Sequence, residues 1–248
     1  KIIVHAADSE YIALKLDDTL AESIVFMPGS TFEFPIPFGK YKAGYDETAF
    51  SGDVHKLKVY EPDDSVKYGV RNIALNSHDL RGKNKIFPHV WANLVTREDV
   101  CFYERNAIDG IIKNDGHGSY PYHSWAGGAR EDLEYYIDFG TEVNVERLVF
   151  YLRADFPHDT YWKSIDAEFD DKEKKTACFE KTAAGQELIL NKPKKTRVIH
   201  LTGFKQAEFP FSWAALTQLE VYGNYIKEDL SKMEIRCASN PKDVKHYT

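Results

Sequence analysis

The sequence predicts an all-β protein, and three observations carry that prediction. Apolar and polar residues alternate with a period of two in short runs. Aromatic residues make up 14% of the chain, with 15 Tyr and 15 Phe. No long helical repeat of apolar residues is seen. Successive strand residues point to opposite faces, so such alternation marks strands with one buried side. Aromatic side chains also pack well across neighbouring strands.

The elements follow in order. Ile12, Leu14 and Leu16 alternate with Ala13, Lys15 and Asp17, and Phe32, Phe34 and Ile36 alternate with Thr31, Glu33 and Pro35. Leu57 and Val59 alternate with Lys56 and Lys58, with turn signals at Pro28-Gly29 and Ser51-Gly52. Residues 1–90 are therefore expected to form a small antiparallel sheet or sandwich of half-buried strands. The polar stretch from Glu61 to Lys85, with a helical turn, serves as its connection onward. His78, Asp79 and Arg81 within it read as solvated surface.

Residues 91–223 read as a second β unit. Leu133, Tyr135, Ile137 and Phe139 alternate with Glu134, Tyr136 and Asp138, and Gly140 is expected to end that strand. Arg147–Arg153 is apolar on both faces, as a central strand should be. Ser164–Asp170, Gln186–Leu190, Arg197–Leu201 and Leu216–Tyr222 complete a series whose spacing favours a sandwich or jelly roll. Residues 224–248 are expected to be a charged, weakly patterned tail that either adds an edge strand at Met233–Arg236 or frays.

With 248 residues and 43% hydrophobic content, the chain can bury a sizeable core as one large domain or two modest ones. The net charge of −7 argues against a general nucleic-acid or anionic-membrane partner. No apolar run is long enough for a membrane-spanning helix. The chain begins at Lys1, so the natural N-terminus is expected to lie upstream. Cys101, Cys178 and Cys237 are an odd number, which hints at free thiols, although one disulfide plus one thiol stays open.

The chemistry-bearing residues crowd on predicted loops. Arg153, Asp155, His158, Asp159 and Trp162 surround Pro157. A guanidinium, carboxylates, an imidazole and an indole on one loop suit a neutral, hydroxyl-rich ligand, which needs fixed donors and acceptors and a flat apolar face. Arg153 and Asp155 would bind adjacent hydroxyls, His158 another, and Trp162 would stack. The alternative is a structural cluster, with Arg153 paired to Asp155 or Asp159 and Trp162 over the core. His117, between Gly116 and Gly118, is a second contact candidate, and Trp213 in the Phe209–Trp213 loop is a third. Trp125 is more at home in the core. No GxSxG elbow, P-loop or HExxH motif is present, so no catalytic residue is assigned.

Asn106-Ala107-Ile108-Asp109-Gly110, Ser124-Trp125, Tyr136–Gly140, Val145–Arg153 and Leu219-Glu220-Val221-Tyr222-Gly223, in that order, resemble the discoidin-like family. That family includes coagulation-factor type C domains and family-32 carbohydrate-binding modules. The resemblance covers residues 96–223. It implies a galactose-binding-like jelly roll, a carbohydrate ligand and a bacterial sugar-binding protein. It also implies a structural calcium held by Asp109, Glu220 and carbonyls near His123 or Ser124, although the loop from Ile111 to Tyr122 is longer than the family's usual one. The leading expectation is a non-catalytic carbohydrate-binding protein. The alternatives are a glycan hydrolase or lyase using His117, Arg153, Asp155 and His158, or a protein-interaction module. The compartment stays open: the resemblance points outside the cell, the odd cysteine count to a reducing interior. The oligomeric state is not legible.

Overall fold

The computed structural model describes residues 1–6, 10–82, 85–130, 132–158, 160–208 and 213–227. Asp159, residues 209–212, Cys237 and the expected strand at Met233–Arg236 lie outside the described residues.

The N-terminal strands form two small antiparallel sheets. β1 (Ile2–His5) pairs with β4 (Thr31–Phe34). β2 (Tyr11–Lys15) lies between β3 (Ser23–Phe26) and β5 (Lys58–Tyr60). The alternation expected at β2 and β4 is realised: Ile12, Leu14, Phe32 and Phe34 are buried and share a cluster with Val4, Val25 and Ile86. β5 departs from expectation. All three of its residues are exposed: it is the edge strand of its sheet, and no described residue covers it. The helical turn of the connection is the single turn Asp64–Lys67.

The larger unit uses β6 (Arg71–Asn72), β7 (His89–Ala92), β8 (Tyr135–Leu152), β9 (Trp162–Glu168), β10 (Lys174–Cys178), β11 (Gln186–Gln206) and β12 (Leu216–Tyr225). All of its pairings are antiparallel. Two of the expected strands prove to be halves of β8. Gly140 bends that strand and does not end it: its φ is +74°, and a Cβ there would meet the Phe87 ring at 2.6 Å. Before the bend, β8 pairs with β7 and the end of β11; after it, with β12 and the start of β11. Gln186–Leu190 and Arg197–Leu201 are likewise parts of one long β11, with register shifts between Ile189 and Lys194 and between Thr196 and Val198.

Two long bent strands therefore pass from one layer to the other, and a single hydrogen-bonded sheet folds into a jelly-roll sandwich. Trp162, Ile165, Ala167, Ile199 and Leu201 of one layer share a core with Leu148, Phe150, Leu152, Leu219 and Val221 of the other. Each such fully buried large side chain contributes roughly 2 kcal/mol.

The N-terminal region does not stand apart. β6 lies on the outer edge of β12, and Phe26, Ile73 and Ala74 belong to the sandwich core. Residues Asn76–Asp79 are buried, which corrects the reading of His78 and Asp79 as solvated surface. His78 Nε2 accepts the Leu16 N–H at 3.1 Å, and Asp79 contacts His89 Nδ1 at 2.8 Å and accepts the Val90 N–H. Arg105 donates to the carbonyls of Ser77 and Asp79. Arg81 is exposed and pairs with Glu98 and Glu104. These bonds stitch the connection to both apolar clusters, which is why polar residues are tolerated there.

Candidate functional site

A cleft of about 530 Å³ opens beside the loops at one end of the sandwich, lined by Thr96, Arg97, Phe102, His117, Ala126, Arg153, His158 and Trp213. That volume suits a small ligand. Four of the six expected contacts, His117, Arg153, His158 and Trp213, line it together. A second cavity of about 570 Å³ lies among Pro35, Phe38, Tyr41, Val100 and Tyr103. Its arginines, Arg81 and Arg105, are already engaged with carboxylates and carbonyls. Volume does not separate the two cavities; the convergent polar groups do.

Local bonds explain how distant segments meet at the cleft. Asn114 is buried and donates to the carbonyls of Leu152 (2.8 Å) and Ala183 (2.9 Å), while its own carbonyl accepts the Ala154 N–H. The His117 loop is thereby sewn to the end of β8. Gly116 carries no positive φ; it is required because the Tyr122 ring would lie 2.8 Å from a Cβ. Gly118 does take a positive φ, +129°. The Arg153 N–H donates to the Ala215 carbonyl at 2.9 Å, and its Nη2 donates to the Trp213 carbonyl at 2.5 Å. The buried guanidinium thus seats the chain beside Trp213, a residue that remains 49% exposed.

Asp155 organises the imidazoles. Its Oδ2 is 2.5 Å from His117 Nδ1 and its Oδ1 is 3.5 Å from His158 Nδ1. Burial raises the Asp155 carboxyl, but the bonds and charges of His117 and His158 outweigh it and hold the group below the usual carboxylate range. Asp155 therefore acts behind the two rings, orienting them, and is not itself part of the cleft lining.

Trp162 is corrected. It is 0% exposed, and its ring lies 4.9 Å from that of Phe204 and 5.8 Å from that of Trp125. As the first residue of β9 it points inward, so no face is available for stacking. Trp125 is also core, with Nε1 donating to the Leu94 carbonyl.

The residues do not fit the implied calcium site. Calcium takes six to eight hard oxygens. The Asp109 carboxylate instead faces His123 Nε2 at 2.5 Å and accepts the Ile111 N–H at 3.0 Å. The β12 side chain that reaches the Asp109–Gly110 turn is the neutral Gln218, whose Oε1 accepts the Gly110 N–H. Glu220 accepts from the Tyr222 hydroxyl. Among the described residues, no group of three His, Cys, Asp or Glu side chains is placed to hold a metal. Among the described residues, Cys101 and Cys178 form no disulfide. No helix among the described residues is long and apolar enough to cross a membrane.

No family model and no curated protein matches the sequence. Solved structures do resemble it. One is chitosan-binding module 1 of a chitosanase/glucanase from Paenibacillus sp. IK-5, at 17% identity over 62% of this chain and 99% of that one, with a TM-score of 0.42. Another is the family 32 carbohydrate-binding module of C. perfringens NanJ in complex with galactose, at 13% identity, 54% and 91% coverage and a TM-score of 0.42. A third is a Streptococcus pneumoniae fucose binding module, SpX-3, at 16% identity, 64% and 99% coverage and 0.43.

Sequence reasoning missed the fourth wall of the cleft. Thr96, Arg97 and Phe102 come from a segment of short 3-10 turns with no alternation to mark it. Thr96 fixes that wall, because its N–H and its hydroxyl both donate to the Ala126 carbonyl, at 2.8 and 2.7 Å. The one available signal was the Phe102 ring near a run of charged residues, which is common in loops.

Proposed function

We propose that this protein is a carbohydrate-binding protein that holds a sugar in the cleft between His117, His158, Arg153 and Trp213. One observation carries the reading: two imidazoles fixed by a shared carboxylate face the same cleft as a half-exposed indole. Sugars need both features, directional hydrogen bonds to hydroxyls and an aromatic face against their C–H surface. Arg153 adds a buried donor, rigid because its neighbours fix it. The reading is of binding without chemistry. Titration calorimetry of the whole chain against a panel of mono- and oligosaccharides tests it. Saturable binding that weakens in His158→Ala and Trp213→Ala supports it, and silence across the panel at millimolar sugar overturns it.

One observation favours a second reading, a glycan hydrolase or lyase. His117, Arg153 and His158 line one cleft and do not face different sides, so an acid/base group and a cation are within the same space. Release of new reducing or unsaturated sugar ends in the same tubes, abolished by His117→Ala, would promote it over simple binding.

A further inference from the structure

We propose that the second cavity, the one lined by Phe38, Tyr41 and Tyr103, extends the sugar site, so that the protein takes a glycan chain and not a single terminal sugar. The inference rests on the sugar-binding reading above and deepens it. The first cleft anchors one part of the chain, and further sugar residues of the same chain stack in the second cavity.

The two cavities share a wall. Thr96, Arg97 and Phe102 line the first, whereas Val100 and Tyr103 line the second. Phe102 and Tyr103 are neighbours in sequence, so consecutive side chains of one segment serve different cavities. The His117 loop makes a second link. The Tyr120 N–H donates to the Ala43 carbonyl at 2.8 Å, which ties that loop to the 3-10 turn Gly39–Gly44, the carrier of Tyr41. Gly44 lets this turn press against the shared wall, since a Cβ there would meet Val100 Cγ2 at 3.0 Å. Two of the segments that wall the first cleft are therefore also fastened to the second cavity.

The lining suits a chain that is already anchored. Phe38 is 72% exposed and Tyr41 49%, two large aromatic residues presented at the same cavity. Pro35 and Pro37 fix the backbone just ahead of Phe38, so little freedom is lost when a ligand settles on its ring. Tyr103 is the third ring, with the Arg81 guanidinium 4.6 Å from its centroid. Arg81 is in turn held by Glu98 and Glu104. The cavity thus offers aromatic faces and few convergent polar groups. Stacking accepts the C–H face of many sugars but does little to orient a free one. Orientation comes from His117 and His158 in the first cleft. Joining the two contacts through one ligand raises affinity by effective concentration, with no new contact in the first cleft.

The test is calorimetry of the whole chain with cello-, chito- and galacto-oligosaccharides, each as a ladder from monosaccharide to hexasaccharide. A gain in affinity of at least about tenfold with length, abolished in the double variant Phe38→Ala/Tyr41→Ala, supports the proposal. A gain that persists in the double variant places the whole ligand in the first cleft and overturns it. Equal affinity at every length overturns it as well, and in both cases the sugar-binding reading stands. Binding of none of the sugars overturns both. Melting midpoints of the variant are expected to match the parent, because both residues are exposed, and they separate lost contacts from lost folding. Hydrogen exchange of the parent gives a readout that needs no variant. Slowing across residues 36–45 by a bound hexasaccharide, and not by the monosaccharide, supports the proposal, and exchange there that a bound hexasaccharide leaves unchanged overturns it.

Discussion

His117 Nδ1 and Asp155 Oδ2 lie 2.5 Å apart although 38 residues separate them in the chain. The same carboxylate holds His158 from the other side. One acidic side chain thereby sets the orientation of two imidazoles in the cleft, and its removal should uncouple both.

Asp155→Asn should weaken sugar binding at least tenfold while costing about 1–2 kcal/mol of stability, since each lost charge-assisted bond is worth about that much. Calorimetry and urea unfolding measure the two effects. The sign of the pH dependence follows from the depressed Asp155 value. Its stabilisation is present above the unfolded carboxylate's pKa and is lost as pH falls through the lower folded value. A variant whose acid unfolding overlays the parent's would show that the carboxylate anchors nothing.

The two tryptophans should behave oppositely. Trp162→Ala removes a fully buried ring and should cost about 3–5 kcal/mol. Trp213→Ala removes a half-exposed ring and should change stability by less than about 1 kcal/mol while reducing binding. Denaturant melts and ligand titrations of the pair would reverse the assignment if binding followed Trp162.

His78 should make the fold acid-sensitive. Burial, reinforced by the Arg105 charge, pushes its imidazole down to about 3. The unfolded chain takes up a proton near pH 6.5 and the folded one does not. Stability is therefore complete above about 6.5 and declines as pH falls toward 3, by several kcal/mol in all, roughly 3–5. His78→Gln should flatten the change in melting midpoint between pH 7.5 and 5. A parent midpoint that does not move across that range would contradict the buried, neutral imidazole.

Calcium or a chelator should leave the melting temperature unchanged within about 1 °C, because His123, and not a ring of oxygens, faces Asp109. His123→Ala should destabilise by about 3 kcal/mol, as expected when one partner of a buried pair is removed. A rise of several degrees with calcium would reinstate the metal.

Much of the strand content was legible because burial on one face imposes a local period. β2, β4, β9 and β12 were readable for that reason. The strand breaks were not. Gly140 is an ordinary stop signal in sequence, yet Phe26 and Phe87 close over it and β8 continues through the bend. β5 shows alternation without burial among the described residues, since an edge strand can keep the pattern without being covered. In the site, the crowded Arg153–His158 loop stood out, whereas Thr96 and Arg97 did not. Their position depends on a pair of bonds to Ala126, 30 residues on, which no local pattern announces.

The sequence by itself determined an all-β chain with polar and aromatic groups concentrated on loops, because strand periodicity and turn chemistry act over a few residues. Tertiary structure decided which of two tryptophans, Trp162 or Trp213, faces solvent. It also decided that Asp109 meets an imidazole, and that His117, Arg153, His158 and Trp213 share one cleft with Arg97. Those outcomes depend on which distant segments pack together. That choice is set by the whole core and its buried hydrogen bonds, not by neighbours along the chain.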